Sequence, residues 1–584
     1  MSDSIAITGS GIICAIGTDT TSVRDALRKG RTGIGELQYL KSIHRELPVG
    51  EVQLSDATLK ESLSIHPDEE VSRTVLLGAY ALRQALRSSQ LTTAMLKDRR
   101  VTFISATTVG GMDITERHYQ EMLADTQTAN YFVQHDCGSI STAIASLCGI
   151  ECELTTVSTA CSSALNAIIL GARMLLAQET DIVLAGGTEA LSVFHLNGFN
   201  SLMILDHEIC RPFDATRQGL NLGEGAAYVV LERTREAQLR QGCIMAFLSG
   251  WSNRCDAYHQ TASSENGEGA YLAMNDALEM ARLKPADIDY VNAHGTGTPN
   301  NDKSESTALC SVFGDSLPAI SSTKSFTGHT TSASGSIETV ICLIAMHDGF
   351  VPGNYGWKNS TPECIVPVAY PQEKEIHHAM CNSFGFGGND SSLILSDRET
   401  VLEASCLKEY EIVGENGISH AEELKELRQY ISPIESRRMC KLMKAAFLTS
   451  MRAMEAADIT SPDAIIVATK YGMLENGEKI LDTLTEQGEE GISPTLFMQS
   501  THNTLAGALA IHLGCRGYNI TYSQGDDSLS WAIRDAQRLI SEGKAKTVLV
   551  GVHDEMPPEF MSLFQHHSGN LPEIYSKSMI IKRK

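Results

Sequence analysis

A cysteine, Cys161, stands at a sharp turn between two predicted elements. The β-rich run 154–157 precedes it, small residues surround it, and apolar residues at helical spacing follow it. Such a turn presents a side chain at a helix N-terminus, where the helix dipole stabilises a thiolate. The pattern therefore indicates a nucleophilic thiol, although this segment alone fits a buried structural cysteine equally well.

Two histidines, His294 and His329, lie in glycine- and threonine-rich loops that each follow a predicted strand. Any one of the eighteen histidines is more often structural or exposed than catalytic. Two of them in such loops, with a cysteine turn upstream, favour imidazoles that act beside a thiol.

A fourth segment, residues 381–390, interleaves glycines with Phe384 and a second phenylalanine. Glycines let a backbone approach a ligand closely, so we interpret this loop as part of a binding site that Phe384 gates. The alternative is a tight turn between edge strands. The spacing does not match a dinucleotide-binding loop.

Composition limits the function classes. A chain of 584 residues is long enough for two or three domains, and 42% hydrophobic with 20% charged residues is typical of a globular protein. The net charge of −24 argues against nucleic acid as a partner. It also disfavours an acidic protein partner unless a basic patch exists, for which Arg99, Arg100 and Arg211 are candidates.

No metal site and no membrane segment are predicted. The fifteen cysteines include no Cys-x-x-Cys, and the closest pair, Cys148 and Cys152, has no further ligand at zinc-site spacing. The N-terminus does not have the pattern of a signal peptide, and no apolar stretch nears the ~18–20 residues of a membrane span. The expected location is cytoplasmic.

Strand-like and helical stretches alternate along the chain, which predicts an α/β protein with a boundary between about 397 and 409. The segment after this boundary partly repeats the first. Shifting residues 141–190 by 365 positions lays them on 506–555 without a gap, and Asp526 then stands where Cys161 stands. The repeat is incomplete, because nothing beyond Gly219 has a counterpart.

Residues 1–398 resemble the elongating type II β-ketoacyl-acyl-carrier-protein synthases, which belong to the thiolase superfamily. Seven motifs in the family's order carry this resemblance: Thr-Ala-Cys161-Ser-Ser, Ala185-Gly-Gly-Thr-Glu189, Arg211-Pro-Phe-Asp214, Gly223-Glu-Gly225, His294-Gly-Thr-Gly-Thr-Pro, Lys324 to His329, and Asn382-Ser-Phe-Gly-Phe-Gly-Gly388. It implies a five-layered α/β/α/β/α thiolase-like fold with halves 1–250 and 251–398. A further half-thiolase-like α/β domain, 409–584, would follow.

The resemblance also implies roles for individual residues. Cys161 would take the acyl group from a carrier-protein thioester, and the backbone N–H groups of Cys161 and Phe384 would hold the oxyanion. His294 and His329 would bind the malonyl carbonyl and promote decarboxylation. Lys324 would act electrostatically on the surroundings of His329, with Glu305 as its partner in a network.

Substrate and partners follow from the same resemblance. Thr296 and Thr298 would bind the pantetheine arm, and Gly387 would contact substrate. The resemblance implies no metal or redox cofactor, because the substrates travel on the phosphopantetheine of an acyl carrier protein. It also implies a homodimer through strands near the Cys161 turn, and other enzymes of a biosynthetic cluster are further candidate partners.

The third unit resembles the N-terminal half of chain-length factors, the non-catalytic relatives that pair with a ketosynthase. Aspartate cannot form a stable thioester, so this unit is expected to be non-catalytic, with His502 and His553 in packing or surface roles. A structural module that shapes the acyl tunnel or recruits a carrier protein is the simplest hypothesis. Val109, Met112 and Phe199 are candidate tunnel residues.

Two alternatives stay open at this stage. The whole chain could be a non-condensing scaffold or specificity partner, although the intact set of Cys161, His294 and His329 speaks against it. Fatty-acid elongation and polyene or polyketide assembly use the same catalytic residues, and the third unit modestly favours the second pathway. A thiolase is a poor match, because thiolases use a second cysteine near the C-terminal glycine motif.

Overall fold

Strands and helices alternate through three consecutive units of the chain. The computed structural model describes residues 2–124, 134–404, 406–558, 560 and 572–584. The first unit contains β1 (Ser2–Asp3), β2 (Ile5–Cys14), α1 (Thr20–Arg28), α2 (Asp56–Leu63), α3 (Arg73–Ser89), α4 (Thr93–Lys97), β3 (Val101–Ala106), α5 (Met112–Ala124), α6 (Cys137–Leu147), β4 (Glu153–Val157), α7 (Ser163–Leu176), β5 (Ile182–Glu189), α8 (Val193–Ser201), β6 (Gly225–Arg233) and α9 (Thr234–Leu239).

The second unit contains β7 (Ala246–Cys255), α10 (Glu268–Ala281), β8 (Tyr290–Asn292), α11 (Pro299–Phe313), β9 (Ala319–Ser321), α12 (Lys324–Thr327), α13 (Ser334–Asp348), β10 (Phe350–Val351), β11 (Gln372–Glu373), β12 (His378–Gly385), β13 (Asn389–Ser396) and β14 (Leu402–Glu403). The third contains β15 (Tyr410–Ile418), α14 (Pro433–Ser436), α15 (Lys441–Ala456), β16 (Ala464–Ala468), α16 (Leu474–Gln487), α17 (Pro494–Met498), α18 (Thr504–Leu513), β17 (Asn519–Tyr522), α19 (Ser528–Glu542), β18 (Thr547–Glu555) and β19 (Ile574–Arg583). Short 3-10 helices span Pro285–Asp287, Thr331–Ala333, Ala421–Gln429 and Gly525–Asp527.

A mixed fifteen-stranded sheet connects the three units. Its order is β15-β19-β18-β16-β17-β4-β3-β5-β6-β2-β7-β13-β12-β8-β9. Each unit contributes five adjacent strands, and β2-β6-β5-β3-β4 has the same order as β7-β13-β12-β8-β9 and as β15-β19-β18-β16-β17. The expectation of two similar halves followed by a third half-like unit is confirmed.

Helix α7 forms the centre of the first two units. All fourteen of its residues are buried, as the apolar run on every face of the helix predicts. It packs against α13, whose residues 334–345 are also buried. The residue that matters most for chemistry, Cys161, therefore lies at the start of a helix that has almost no freedom to move. In the part of the chain that the structure describes, no helix combines the length and apolar character needed to cross a membrane.

The 365-residue repeat is visible in the structure. The same shift lays β4 on β17, α7 on α19 and β5 on β18. The two copies meet where β4 and β17 pair antiparallel. The N–H of Ser158 donates to the carbonyl of Thr521 (3.0 Å), and the N–H of Ser523 donates to the carbonyl of Thr156 (2.9 Å). The 365-residue shift relates Ser158 to Ser523 and Thr156 to Thr521, so each of these two bonds is the counterpart of the other. The copies are therefore related by a local two-fold pseudosymmetry.

This pairing corrects one expectation. We expected the strands near the Cys161 turn to pair with a second copy of the chain. The outer edge of β4 is instead covered by β17 of the same chain, so a homodimer through this edge is wrong. The third unit occupies the place that the partner subunit was expected to take.

Buried ion pairs across the interface of the two copies, hereafter the seam, break the pseudosymmetry. Arg173 contacts Asp535 at 2.8 Å and Glu542 at 2.9 Å. Its counterpart by the shift, Arg538, binds Glu179 instead. Asp535 has no acidic counterpart, because the shift places it on Leu170. The buried charges of the seam therefore pair one unit with a different unit, and the two sides of the seam are not equivalent.

We expect Asp535→Ala to destabilise the chain by about 3 kcal/mol, because it removes one carboxylate from a fully buried guanidinium, that of Arg173. The free energy of unfolding from urea denaturation measures this loss. Arg100→Ala is the control, since it removes an exposed pair with Asp181 and should cost less than about 1 kcal/mol. Equal losses in the two variants would contradict the assigned importance of the seam.

Candidate active site

Cys161 lies on a strained turn between β4 and α7. Ala160, directly before it, has φ +52°, a left-handed conformation that residues other than glycine rarely adopt. The hydroxyl of Ser163 holds the turn, because it accepts the N–H of Thr159 (2.8 Å) and donates to the carbonyl of Ala160 (2.6 Å). Strain of this kind is typical of functional sites, and here it directs the thiol toward the second unit.

The structure brings the three predicted groups together. The thiol of Cys161 lies 3.0 Å from Nε2 of His329, whose Nδ1 lies 3.0 Å from the hydroxyl of Ser334. The ring of His294 meets that of His329 edge-on, with centroids 5.4 Å apart. The ligating atoms of all three lie within 4.8 Å of one another, so this donor set could also hold a soft divalent ion.

Burial sets the charge of these groups. Burial, reinforced by the nearby Lys324 ammonium, lowers the pKa of both His294 and His329 well below the usual value. Burial raises the pKa of the Cys161 thiol to about 11, against the opposing effect of Lys324 and of two backbone N–H groups. At neutral pH the resting site is therefore a thiol beside two neutral imidazoles.

Lys324 has a different partner from the one expected. Its ammonium forms a buried ion pair with Glu338 of α13. Glu305 instead accepts the N–H groups of His294 (2.8 Å) and Gly295 (2.7 Å). Glu305 therefore holds the His294 loop from behind, and it is linked to Lys324 only through space, since the Lys324 charge opposes the rise that burial causes in the Glu305 pKa.

The second oxyanion donor also differs from the expectation. The backbone N–H that faces the Cys161 sulfur, besides its own, belongs to Phe386 and not to Phe384. Phe384 lies within β12, where it is paired with Asp390 of β13. Its ring contacts the ring of His294, with centroids 5.8 Å apart. Phe386 lies one residue beyond the strand, where the backbone turns and its N–H is free to face the site.

The structure places the three predicted substrate-contact residues in two different surroundings. Thr296 and Thr298 stay beside His294, with their hydroxyls 2.9 Å apart. Gly387 does not offer its N–H to a ligand, because it donates to the carbonyl of Gln260 at 2.7 Å. Gly387 also packs against Gly507 of the third unit. Gly387 therefore has a packing role, and its substrate contact stays a prediction.

Three important residues were not predicted. Besides Phe386 and Glu338, Asn389 stands out, because its side-chain oxygen accepts from Ser162 (2.7 Å) and Asn166 (2.9 Å) at the start of α7. Its amide nitrogen donates to the carbonyl of Asn519 in β17 (2.5 Å). Glu338 is the one acid within the buried stretch 334–345 of α13, which was a readable signal, whereas Asn389 carries no such signal.

A small cavity of about 30 Å³ lies at the seam. Both copies line it: Thr108, Val109, Met112, His135, Asp136 and Phe194 from the first unit, and Tyr471, Met473, Leu474, Gly477, Glu478, Leu481, Ser500, His502 and Phe560 from the third. Of the candidate tunnel residues, Val109 and Met112 line it, whereas Phe199 stacks on Phe386 with centroids 5.9 Å apart. His502 and His553 are both buried.

Comparisons with known proteins agree with this geometry. The family description "Beta-ketoacyl synthase, N-terminal domain" matches residues 2–237, and "Beta-ketoacyl synthase, C-terminal domain" matches 245–358. A second N-terminal-domain description of the same name matches residues 415–583. The repeat found in the sequence is thus also a repeat of family domains.

Among curated proteins, nodulation protein E of Rhizobium meliloti (strain 1021) is 34% identical over 404 residues, 67% of this chain and 98% of that one. The 3-oxoacyl-[acyl-carrier-protein] synthase 2 of Coxiella burnetii is 32% identical over 413 residues, 67% of this chain and 98% of that one. The solved structure "PfaC Keto synthase-Chain length factor" covers 100% of this chain and 78% of its own, with TM-score 0.81 and 17% identity. That last likeness shows the fold of all three units.

The rate at which iodoacetamide alkylates resting Cys161 should follow the thiolate fraction, which the pKa of the thiol determines. Because burial holds that pKa near 11, we expect the rate with iodoacetamide to rise about ten-fold per pH unit from pH 6 to 10. No break is expected near pH 6.5, since both imidazoles stay neutral. Peptide mass spectrometry measures the rate, with the exposed Cys310 as reference for the reagent. A plateau at pH 7 would instead mean a thiolate–imidazolium pair.

Proposed function

The chain belongs to the β-ketoacyl synthase family and is a condensing acyltransferase of fatty-acid or polyketide-type biosynthesis; we propose that Cys161, His294 and His329 perform the condensation. The observation that supports this assignment is the cluster itself, in which one thiol meets two neutral imidazoles in a buried site. Such a site can carry an acyl group and stabilise an enolate.

In the first half-reaction, Cys161 takes the acyl group. Nε2 of His329 accepts the thiol proton, and the thiolate attacks the carbonyl of the acyl thioester. The N–H groups of Cys161 and Phe386 hold the negative oxygen of the tetrahedral intermediate. The intermediate collapses to the acyl-enzyme, and the carrier thiolate leaves with the proton that His329 returns.

In the second half-reaction, a malonyl thioester loses carbon dioxide. The electrons of the broken C–C bond form an enolate, whose oxygen is held by N–H groups of His294 and His329. Ser334 can donate to or accept from Nδ1 of His329, so the ring can serve first as acceptor and then as donor at Nε2. The enolate carbon attacks the acyl-enzyme, and the released Cys161 thiolate takes a proton from solvent.

Decarboxylation explains why neutral imidazoles suffice. Loss of carbon dioxide generates the carbanion in place, so the site needs to stabilise an oxygen and does not need a strong base. The steps use the two thioesters and these side chains, and no cofactor takes part in the proposal. Both substrates would arrive on the phosphopantetheine of an acyl carrier protein, with the Thr296 and Thr298 hydroxyls beside its arm.

The arginines that could recognise a carrier protein are partly neutralised by neighbouring acids. Each candidate basic residue already has an acidic partner: Arg99 pairs with Glu236, Arg100 with Asp181, and Arg211 with Asp206 and Glu208. We therefore do not place the docking site at these arginines. A cytoplasmic location is part of the proposal, as the soluble carrier substrate requires.

The third unit would act as a non-catalytic partner fused to the synthase. Asp526, at the position equivalent to Cys161, is exposed and pairs with Lys470 at 2.9 Å. Because the unit forms one wall of the seam cavity, we propose that it limits the acyl chain, as a chain-length factor would. This role favours polyene or polyketide-type lipid synthesis over general fatty-acid elongation.

The proposed nucleophile is tested by intact-protein mass spectrometry after incubation with an acyl-carrier-protein thioester. We expect one acyl adduct on the parent chain, none on Cys161→Ala, and one on the control Cys137→Ala, which removes another buried thiol. An adduct that persists on Cys161→Ala would reject the mechanism. No adduct on the folded parent with any donor would favour the non-condensing scaffold.

Gly477 tests the role of the third unit. It lies inside helix α16 and lines the cavity, and apart from its chain neighbours and the backbone of its own helix, no described atom lies within 4 Å of where a Cβ would stand. We expect Gly477→Leu to fill this space and slow transfer of a dodecanoyl group about ten-fold, a barrier increase of about 1.4 kcal/mol. Transfer of a butyryl group should change less than about two-fold.

The control for Gly477→Leu is Thr485→Leu, an exposed position on the same helix. It adds the same side chain without entering the cavity, so all acyl lengths should react as in the parent. Equal rates for every acyl length in Gly477→Leu would mean that the acyl chain does not reach this cavity.

A further inference from the structure

The loop between β12 and β13 carries the Phe386 N–H, and one backbone bond within it, from the N–H of Gly388 to the carbonyl of Gly385 (3.1 Å), closes the turn. Gly387 and Gly388 have φ +82° and +75°, and glycine adopts such values without strain but also leaves them easily. Two bonds tie the glycines to the second unit: the N–H of Gly387 donates to the carbonyl of Gln260 (2.7 Å), and the carbonyl of Gly388 accepts the N–H of Asp256 (2.7 Å). A precise oxyanion donor on such a loop needs support from outside it.

For Phe386 itself, that support comes from the third unit. The side-chain amide of Asn503 donates to the carbonyl of Phe386 at 2.8 Å. Asn503 is buried and lies at the N-cap of α18, where its own carbonyl accepts the N–H of Gly507. The donor is therefore fixed to a buried helix, and it holds the same residue whose N–H faces Cys161.

A close backbone contact brings α18 to this position. A Cβ on Gly507 would stand 2.9 Å from the Cα of Gly387, which is closer than real Cβ contacts occur. Only glycine at 507 lets the helix approach the loop so closely. The ring of Phe386 is held on its other side, since it stacks on Phe199, which contacts Phe497 of α17 with centroids 5.3 Å apart.

The other end of the Asn503 amide supports a functional interpretation. Its oxygen is buried and has no hydrogen-bond partner among the described residues. A buried acceptor without a partner costs stability, so a residue chosen only for packing would avoid it. The hydrogen bond that the side-chain nitrogen of Asn503 donates to Phe386 therefore explains why an asparagine stands at this position.

We propose that Asn503 is a positioning residue for the condensation: it fixes the oxyanion donor of Phe386, so the active site is incomplete without the third unit. This inference rests on the proposed function and extends it, because the third unit then affects the chemical step for every acyl length. A unit that only limits chain length would leave the transfer of short acyl groups unchanged.

The test compares Asn503→Ala with Asn476→Ala in the full chain. Asn476 is an equally buried amide of the same unit, and its nitrogen donates to the carbonyl of Gln499, away from the loop. The acetyl group is the probe, because it is the shortest acyl group and Cys161 does not line the seam cavity. We measure single-turnover acylation of Cys161 from acetyl carrier protein, together with the melting temperature of each variant.

We expect Asn503→Ala to slow acetylation by about ten- to one-hundred-fold, below the loss seen when an oxyanion donor is removed outright. Asn476→Ala should melt at least as early and yet acetylate within about two-fold of the parent. Parent-like acetylation in folded Asn503→Ala would overturn the proposal, as would an equal loss in Asn476→Ala.

A second readout separates this inference from the proposed function. The Phe386 N–H also stabilises the thiolate form of Cys161, the form that iodoacetamide attacks, so Asn503→Ala should lower the iodoacetamide rate of Cys161 relative to Cys310 at least about three-fold at pH 9. Alkylation needs no acyl donor. If the parent were never acylated, the proposed function would fail, while an unchanged alkylation ratio would reject the positioning role alone.

Discussion

The open edge of β4 is the constraint on which this molecule depends. The strand leads directly into the Cys161 turn, and an unpaired edge beside a reactive thiol would leave both the sheet and the turn unsupported. β17 of the third unit covers that edge with reciprocal hydrogen bonds. The buried arginine pairs, the seam cavity and the hold on the glycine loop all follow from this one antiparallel contact.

Burial then determines the chemistry. Excluding water keeps the two imidazoles neutral and the thiol protonated, so the site holds donors and acceptors instead of fixed charges. The one strong cation, Lys324, is balanced by Glu338, and burial raises the pKa of that carboxyl to about 7. The charge that develops during reaction therefore meets backbone N–H groups and imidazoles already in place.

Much of this arrangement could be predicted from the sequence, because it depends on local patterns. The strand–turn–helix around Cys161, the two histidine loops and the 365-residue repeat each leave a continuous signature. The errors concern contacts between distant segments. Glu305 and Glu338 both lie near Lys324 in the sequence, and only the packing of α13 decides that Glu338 forms the ion pair with it.

The choice between Phe384 and Phe386 illustrates a second limit. Two aromatics separated by one glycine look equivalent in sequence, and the end of β12 decides which N–H leaves the ladder. Asn503 is harder still, because it lies 117 residues from the carbonyl that it binds. Strand ends and contacts between units depend on tertiary packing, which periodicity does not encode.

The segment that joins β13 to β15 has a consequence for how the protein works in a cell. Two separate chains that meet through such a seam would associate according to their concentrations, and dilution would leave synthase units with an open β4 edge. A short covalent tether instead keeps the units at an effective concentration on the order of millimolar, whatever the expression level. The pair is then always made in equal amounts, and neither unit can be exchanged for a related partner encoded elsewhere.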